Sequence, residues 1–156
     1  MKLPIYQVDA FANDLFSGNP AAVIICETEL TEGTMQKVAS ENNVSETAFV
    51  MPRDEGYQIR WFTPLVEVDL CGHATLASAH VLFVHRGVSS GKVTFNSRSG
   101  LLNVKQEEDL LFLDFPADRA KTAEPPEEMI LGLGRNPSGV FRGRDDYMAV
   151  FETEEE

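Results

Sequence analysis

Two short stretches hold the residue types from which proton-transfer chemistry is built. Ser45-Glu46-Thr47 sets a carboxylate between two hydroxyl residues, directly before the apolar run Ala48-Phe49-Val50. Cys71-Gly72-His73-Ala74 sets a thiol and an imidazole on either side of a glycine, at the entry to a run of small residues. Each titratable group has two readings. Glu46 is either a solvent-facing carboxylate at a strand end or a general acid/base, since a carboxylate in a partly closed apolar pocket is moved toward the range useful for proton transfer. His73 either caps backbone groups or stays a neutral ring, disfavoured as imidazolium by a helix N-terminus, that hydrogen-bonds a substrate or relays a proton. Cys71 is either a buried small residue or a thiolate held by the helix start. Asn19, in Gly18-Asn19-Pro20, reads as a turn residue, with a lesser role in which its amide faces a ligand.

The element that must position these groups runs from Ala74 to Val84. Its side chains are apolar almost all round, broken only by Thr75, Ser78 and His80, and a helix apolar on every face is a buried one. Its first turn leaves N–H groups free from Gly72 to about Thr75, an anion seat where Gly72 lets a backbone or a substrate carboxylate come close. Gly87 is placed to end this helix. His80 and His85 lie on its body and its end and read as structural.

Strands surround the helix. Leu3 to Phe11 reads as an opening strand that ends in the turn formers Asn13, Asp14, Ser17, Gly18, Asn19 and Pro20; Ala21 to Cys26 reads as a buried strand. Thr31 caps a helix whose inward positions are Met35, Val38 and Ala39 and whose left-handed end is Asn43. Ser45–Met51 and Tyr57–Thr63 form a hairpin across the residues from Pro52 to Gly56. A short Val66–Val68 segment precedes the core helix. Lys92–Ser97, Leu101–Gln106 and Leu110–Phe115 then form a meander, Pro125-Pro126 starts a short helix, and Gly139–Arg142 pairs with Tyr147–Phe151. The acidic end from Phe151 to Glu156 reads as the start of another helix. About eight strands and one all-apolar helix point to an α+β fold, a curved mixed sheet wrapped around that helix.

Composition narrows the function. With 13 basic and 25 acidic residues in 156, the net charge is −12, and 43% of the residues are apolar. No Lys/Arg cluster stands out, which argues against nucleic-acid and anionic-membrane partners. The N-terminus shows no apolar run followed by a cleavage site, and no stretch approaches membrane-spanning length, so a cytosolic protein is expected. Two cysteines make no disulfide framework and no metal-ligand spacing is present. The glycines from Gly132 to Gly143 form no phosphate or dinucleotide fingerprint, so no nucleotide cofactor is expected.

Phe16-Ser17-Gly18-Asn19-Pro20-Ala21-Ala22-Val23, Ser45-Glu46-Thr47-Ala48-Phe49, Arg60-Trp61-Phe62-Thr63-Pro64 and Leu70-Cys71-Gly72-His73-Ala74-Thr75-Leu76-Ala77-Ser78-Ala79 closely resemble, in order, the N-terminal motifs of the PhzF-like (phenazine biosynthesis isomerase-like) family, which shares the diaminopimelate epimerase fold. The resemblance covers residues 1–80 strongly. It implies a cofactor-independent isomerase or epimerase that moves a proton on a small amino- or carboxylate-bearing metabolite. It implies Glu46 as the acid/base, Gly72 and His73 lining the substrate pocket, and a homodimer. Cys71 resembles in position the first of the two cysteines of related epimerases. With His73 as the partner in catalysis, the substrate is expected to meet Asn19, Ser45, Cys71, Gly72 and Ala74.

The family fold has two similar halves, each with its own central helix, and the site lies between them. No second all-apolar helix and no matching Gly/Asp motif follows Gly87 in this sequence. Residues 1–120 therefore read as an N-terminal half-domain and 121–156 as a lead toward a second half. The chain is expected to be either part of a longer protein or a half-size version that builds its cleft by association. A rival reading is a non-catalytic small-molecule-binding or protein-interaction domain.

Overall fold

A computed structural model describes residues 2–153. The chain divides into two compact units, Met1–Phe115 and Pro116–Glu156. The first holds an eight-stranded sheet. In chain order its elements are β1 (Ile5–Ala10), β2 (Asn19–Ile25), α1 (Glu32–Asn42), β3 (Glu46–Arg53), β4 (Gly56–Phe62), β5 (Glu67–Val68), α2 (Gly72–His80), a π-helical turn (Val81–His85), β6 (Lys92–Ser97), β7 (Gly100–Glu107) and β8 (Leu110–Asp114). The strand order is β1-β2-β3-β4-β6-β7-β8, with β5 paired to β4. The β2–β3 and β4–β6 pairs are parallel and the other neighbours antiparallel.

The sheet curves around α2, because β1 and β8, at opposite ends of the order, both pack on that one helix. Ala21, Val23 and Ile25 of β2, Ala48 and Val50 of β3, Ile59 and Trp61 of β4, Val93 and Phe95 of β6, and Leu102 and Val104 of β7 all join Ala74, Ala77, Ala79 and Leu82 in one core. The alanines of α2 let the strands come close. Its two buried hydroxyls bond back to the preceding turn, Thr75 Oγ1 to the carbonyl of Cys71 at 2.5 Å and Ser78 Oγ to that of Ala74 at 2.7 Å, so neither is left unsatisfied in the core. The helix expected to run unbroken to Arg86 instead widens after His80. The Arg86 N–H donates to the Val81 carbonyl, five residues back, at 3.1 Å, and Gly87 follows in the left-handed region at φ 71°.

The other face of the sheet carries α1. Ile24, Cys26, Phe49 and Phe62 pack there on Met35 and Ala39, which is why β2 and β3 read as continuous apolar runs rather than alternating ones. The α1 ends match the expectation: Thr31 Oγ1 accepts from the Thr34 N–H at 3.3 Å and Asn43 takes φ 50°. Arg60 fixes this face. It donates twice to Glu67 at 2.6 Å and once to Glu32 at 2.8 Å, and Arg98 reaches Glu67 at 2.6 Å. The two Glu67 bonds above all hold the Arg60 guanidinium's pKa further above its ordinary value, burial opposes this, and Glu32 adds to it.

Several expected boundaries shift. Asn19 and Pro20 belong to β2 rather than to the turn, because they complete its pairing with Ala10 and Asp9. Pro52 and Arg53 extend β3 opposite Tyr57 and Gly56. This is tolerated because β2 pairs β3 only as far as Val50, so no neighbour asks proline for an N–H. Gly18 is required where it stands: its φ is 88°, and a Cβ there would lie 2.5 Å from the Ala10 carbonyl oxygen.

The second unit holds β9 (Lys121–Thr122), α3 (Glu127–Leu133), β10 (Gly139–Arg142) and β11 (Tyr147–Val150), with sheet order β11-β10-β9. The strand β9 has no sequence signal of its own. Phe151 to Thr153 are not helical, and the rest of the helix start expected at the acidic end lies outside the described residues. No helix of the described residues is long and apolar enough to cross a membrane.

Candidate active site

Glu46 is the first residue of β3 and shares the α2-facing side of that strand with Ala48 and Val50. Helix α2 packs on β3 and brings His73, in its first turn, against the carboxylate. His73 Nε2 lies 3.1 Å from Glu46 Oε2. The pair is close, yet neither atom has a hydrogen bond of good alignment. With Trp61 Nε1 they are the buried side-chain polar atoms among the described residues that lack one, and atoms in that position normally find a partner. His73 is 9% exposed and the Glu46 side chain 19%, so the carboxylate is the more open of the two.

The remaining expected residues gather around this pair. Cys71, the N-cap of α2, places Sγ 3.5 Å from His73 Nδ1. Ser45 donates to the amide oxygen of Asn19 at 3.1 Å, tying the starts of β2 and β3 together, so Asn19 acts as a strand-end partner rather than as a turn residue. Thr47, on the face away from Glu46, accepts from Asn42 Nδ2 at 3.1 Å. Asn42 is a support that the sequence reading missed, because its place at the end of α1 carries no signal of a contact. Ala74 is fully buried in the first turn of α2. A Cβ added at Gly72 would meet only a ring carbon of Phe115, at 3.5 Å. The close backbone approach expected there is therefore absent among the described residues, and the space above Gly72 is otherwise open.

Burial pushes the Cys71 thiol up to about 12, the Glu46 carboxylate adds to the shift, and the Ala74 N–H, which lies short of good capping geometry, opposes it. Of the two readings of Cys71, burial favours the small buried residue over the thiolate: desolvation outweighs the helix start. A thiol held above its unfolded value of 9.0 stabilises the fold fully below that value, and the contribution is lost as pH rises toward about 12. The expected result is a denaturation midpoint that falls more steeply above pH 9.0 in the parent chain than in Cys71→Ala, measured in paired urea titrations.

Glu46, Cys71 and His73 also offer three donor atoms within 4.8 Å of one another, a cluster made by the fold that residue spacing does not show. The imidazole stands between the other two, with Nδ1 toward the sulfur and Nε2 toward the carboxylate. A cation would bond a single ring nitrogen, so the arrangement suits a proton relay better than a chelate. A small cleft of about 50 Å³ lined by Cys26, Met35, Phe49 and Arg60 lies on the α1 side of the sheet and holds none of these groups.

Residues 8–135 match the family described as phenazine biosynthesis-like protein, PhzC–PhzF. Over 99% of its length the chain is 48% identical to an uncharacterized isomerase of Halalkalibacterium halodurans, and over 99% it is 49% identical to one of Pseudomonas aeruginosa. It is also 51% identical, over 74% of its length and 43% of the relative's, to the mouse phenazine biosynthesis-like domain-containing protein 2. Among solved structures it resembles the PhzF-family protein of Enterococcus faecalis, with TM-score 0.88, 45% identity and 99% of the chain covered. The chain spans 59% of the length of both bacterial isomerases and of the E. faecalis protein. A P. aeruginosa protein described as a predicted epimerase shares the fold, with TM-score 0.65 at 24% identity over 81% of this chain and 46% of its own. On the match over residues 8–135 and these identities, the chain belongs to the phenazine biosynthesis-like (PhzC–PhzF) family.

Proposed function

We propose that this chain carries the acid/base half of a cofactor-independent isomerase or epimerase acting on a small amino- or carboxylate-bearing metabolite. The observation that carries the reading is the 3.1 Å approach of Glu46 Oε2 and His73 Nε2, two buried polar atoms without an aligned partner. Glu46 takes a proton from carbon and returns one. The N–H groups at the start of α2, from Gly72 to Ala74, hold the substrate's anionic group, and His73 donates to the charge that develops. Fixed donors of this kind are worth about 2.7–4 kcal/mol each in enzymes where one has been removed.

The isomerase names of the bacterial relatives support the reaction class. Exposed apolar residues support association at the same end of the sheet. Phe11 and Phe16 lie between β1 and β2, and Leu65 and Val66 between β4 and β5; all are more than half exposed. We propose a homodimer, and a clean monomeric mass in solution at micromolar concentration would count against it.

The test is conversion. A panel of small chiral amino acids and unsaturated carboxylates is incubated with the chain and followed by chiral chromatography. Interconversion of one of them is the expected result. Binding without conversion would replace this reading by that of a binding domain.

Gly72 offers a sharper check. Gly72→Ala is expected to change stability by less than about 1 kcal/mol, since the added methyl meets only Phe115. It is also expected to lower turnover about 10- to 100-fold by displacing the substrate's anionic group. Paired denaturation and rate measurements separate the two effects.

A further inference from the structure

We infer that Cys71 is a positioning residue: its S–H donates to His73 Nδ1 and thereby holds the imidazole in the tautomer that carries its proton on Nε2, facing Glu46. The inference rests on the proton-transfer reading of Glu46 and His73 and adds to it the group that orients the ring.

The geometry assigns each ring nitrogen one neighbour. Nδ1 faces the Cys71 sulfur at 3.5 Å and Nε2 faces Glu46 Oε2 at 3.1 Å. A neutral imidazole has one N–H and one lone pair, and an ionised carboxylate can only accept. The arrangement with a proton on Nδ1 would set the Nε2 lone pair against a carboxylate oxygen at short range in a buried site, where unpaired polar groups are costly. The arrangement with a proton on Nε2 sets an N–H rather than a lone pair toward Glu46 at 3.1 Å, short of good alignment, and leaves Nδ1 needing a donor. Among the described contacts of Nδ1, that donor is the thiol.

The sulfur is available for this role. Cys71 is 7% exposed and occupies the N-cap of α2 without a side-chain capping bond to the helix. The desolvation that keeps its thiol protonated up to about 12 leaves it a donor at neutral pH. Its backbone is anchored separately, because the Cys71 carbonyl accepts from Thr75 Oγ1 at 2.5 Å. Removing the sulfur therefore removes the S–H contact without removing that anchor.

The test reads the ring directly. The full chain is labelled with 15N-histidine, His73 is assigned by its loss in His73→Gln, and the ring nitrogens are observed at neutral pH in the parent, Cys71→Ala and Cys71→Ser. The expected parent spectrum has a protonated Nε2 and an unprotonated Nδ1. In Cys71→Ala the Nε2–H form is expected to lose its dominance to a mixture of tautomers, and the hydroxyl of Cys71→Ser to restore it at least in part. A parent spectrum with Nδ1 protonated would overturn the inference, and this needs no variant to fold. So would a folded Cys71→Ala whose Nε2–H population equals the parent's. The spectra require no substrate, so a failure here leaves the role of Glu46 standing, and a failure of the Glu46 role in a turnover assay leaves the tautomer result unchanged.

Discussion

Glu46→Gln is expected to lower turnover by about 100- to 10,000-fold, the range typical of losing a general acid/base, while leaving the fold intact. Glutamine keeps the shape and one acceptor oxygen of glutamate but cannot take a proton from carbon. The side chain sits at the start of β3 with 19% exposure and belongs to no other ion pair than the one with His73 among the described residues, so the substitution disturbs little beyond that contact. The structural cost is therefore expected to stay near the size of one neutral hydrogen bond, about 1 kcal/mol. Rates and denaturation curves measured together check both parts. A variant with full turnover would remove Glu46 from the reaction.

Trp61→Ala is expected to cost about 3–5 kcal/mol of stability, a large share of the 5–15 kcal/mol typical of a domain. Trp61 is 1% exposed, lies opposite Ala48 and Val68 and fills the core on which α2 rests. Its loss leaves a cavity that the small alanines of α2 cannot close. Trp61→Phe separates packing from hydrogen bonding. Since Nε1 has no aligned partner among the described residues, deleting it forfeits no bond, and the cost is expected to stay below about 1.5 kcal/mol. Thermal or urea unfolding followed by circular dichroism reads both variants. A Trp61→Ala loss under 1 kcal/mol would mean that the core rearranges freely around α2, contrary to the close packing described.

Local chemistry was enough to read much of this fold. Thr31 and Asn43 mark both ends of α1 because capping and left-handed geometry depend on the residues at the ends alone. The unbroken run from Ala21 to Cys26 signals a buried strand, and the small apolar residues of α2 signal a helix that strands enclose. Other features depend on partners distant in sequence. Asn19 and Pro20 join β2 only because β1 pairs with them. The widening after His80 is marked by nothing in the residue types of Val81–His85. The candidate site could be proposed from residue types but not from geometry. Glu46 and His73 meet because α2 crosses the start of β3, and no periodicity encodes that crossing. The upward push on the Cys71 thiol comes from its burial, which only the packed structure gives.

Turnover in deuterated water tests whether Glu46 carries the proton. In the proposed reaction Glu46 takes the proton from carbon, and with its side chain 19% exposed the proton it holds is expected to exchange with solvent before return. Product recovered after conversion is expected to carry solvent deuterium at the reacting carbon, with incorporation that falls with the rate in Glu46→Gln. Product that retains only its original hydrogen, together with turnover unchanged in Glu46→Gln, would rule out proton transfer through Glu46.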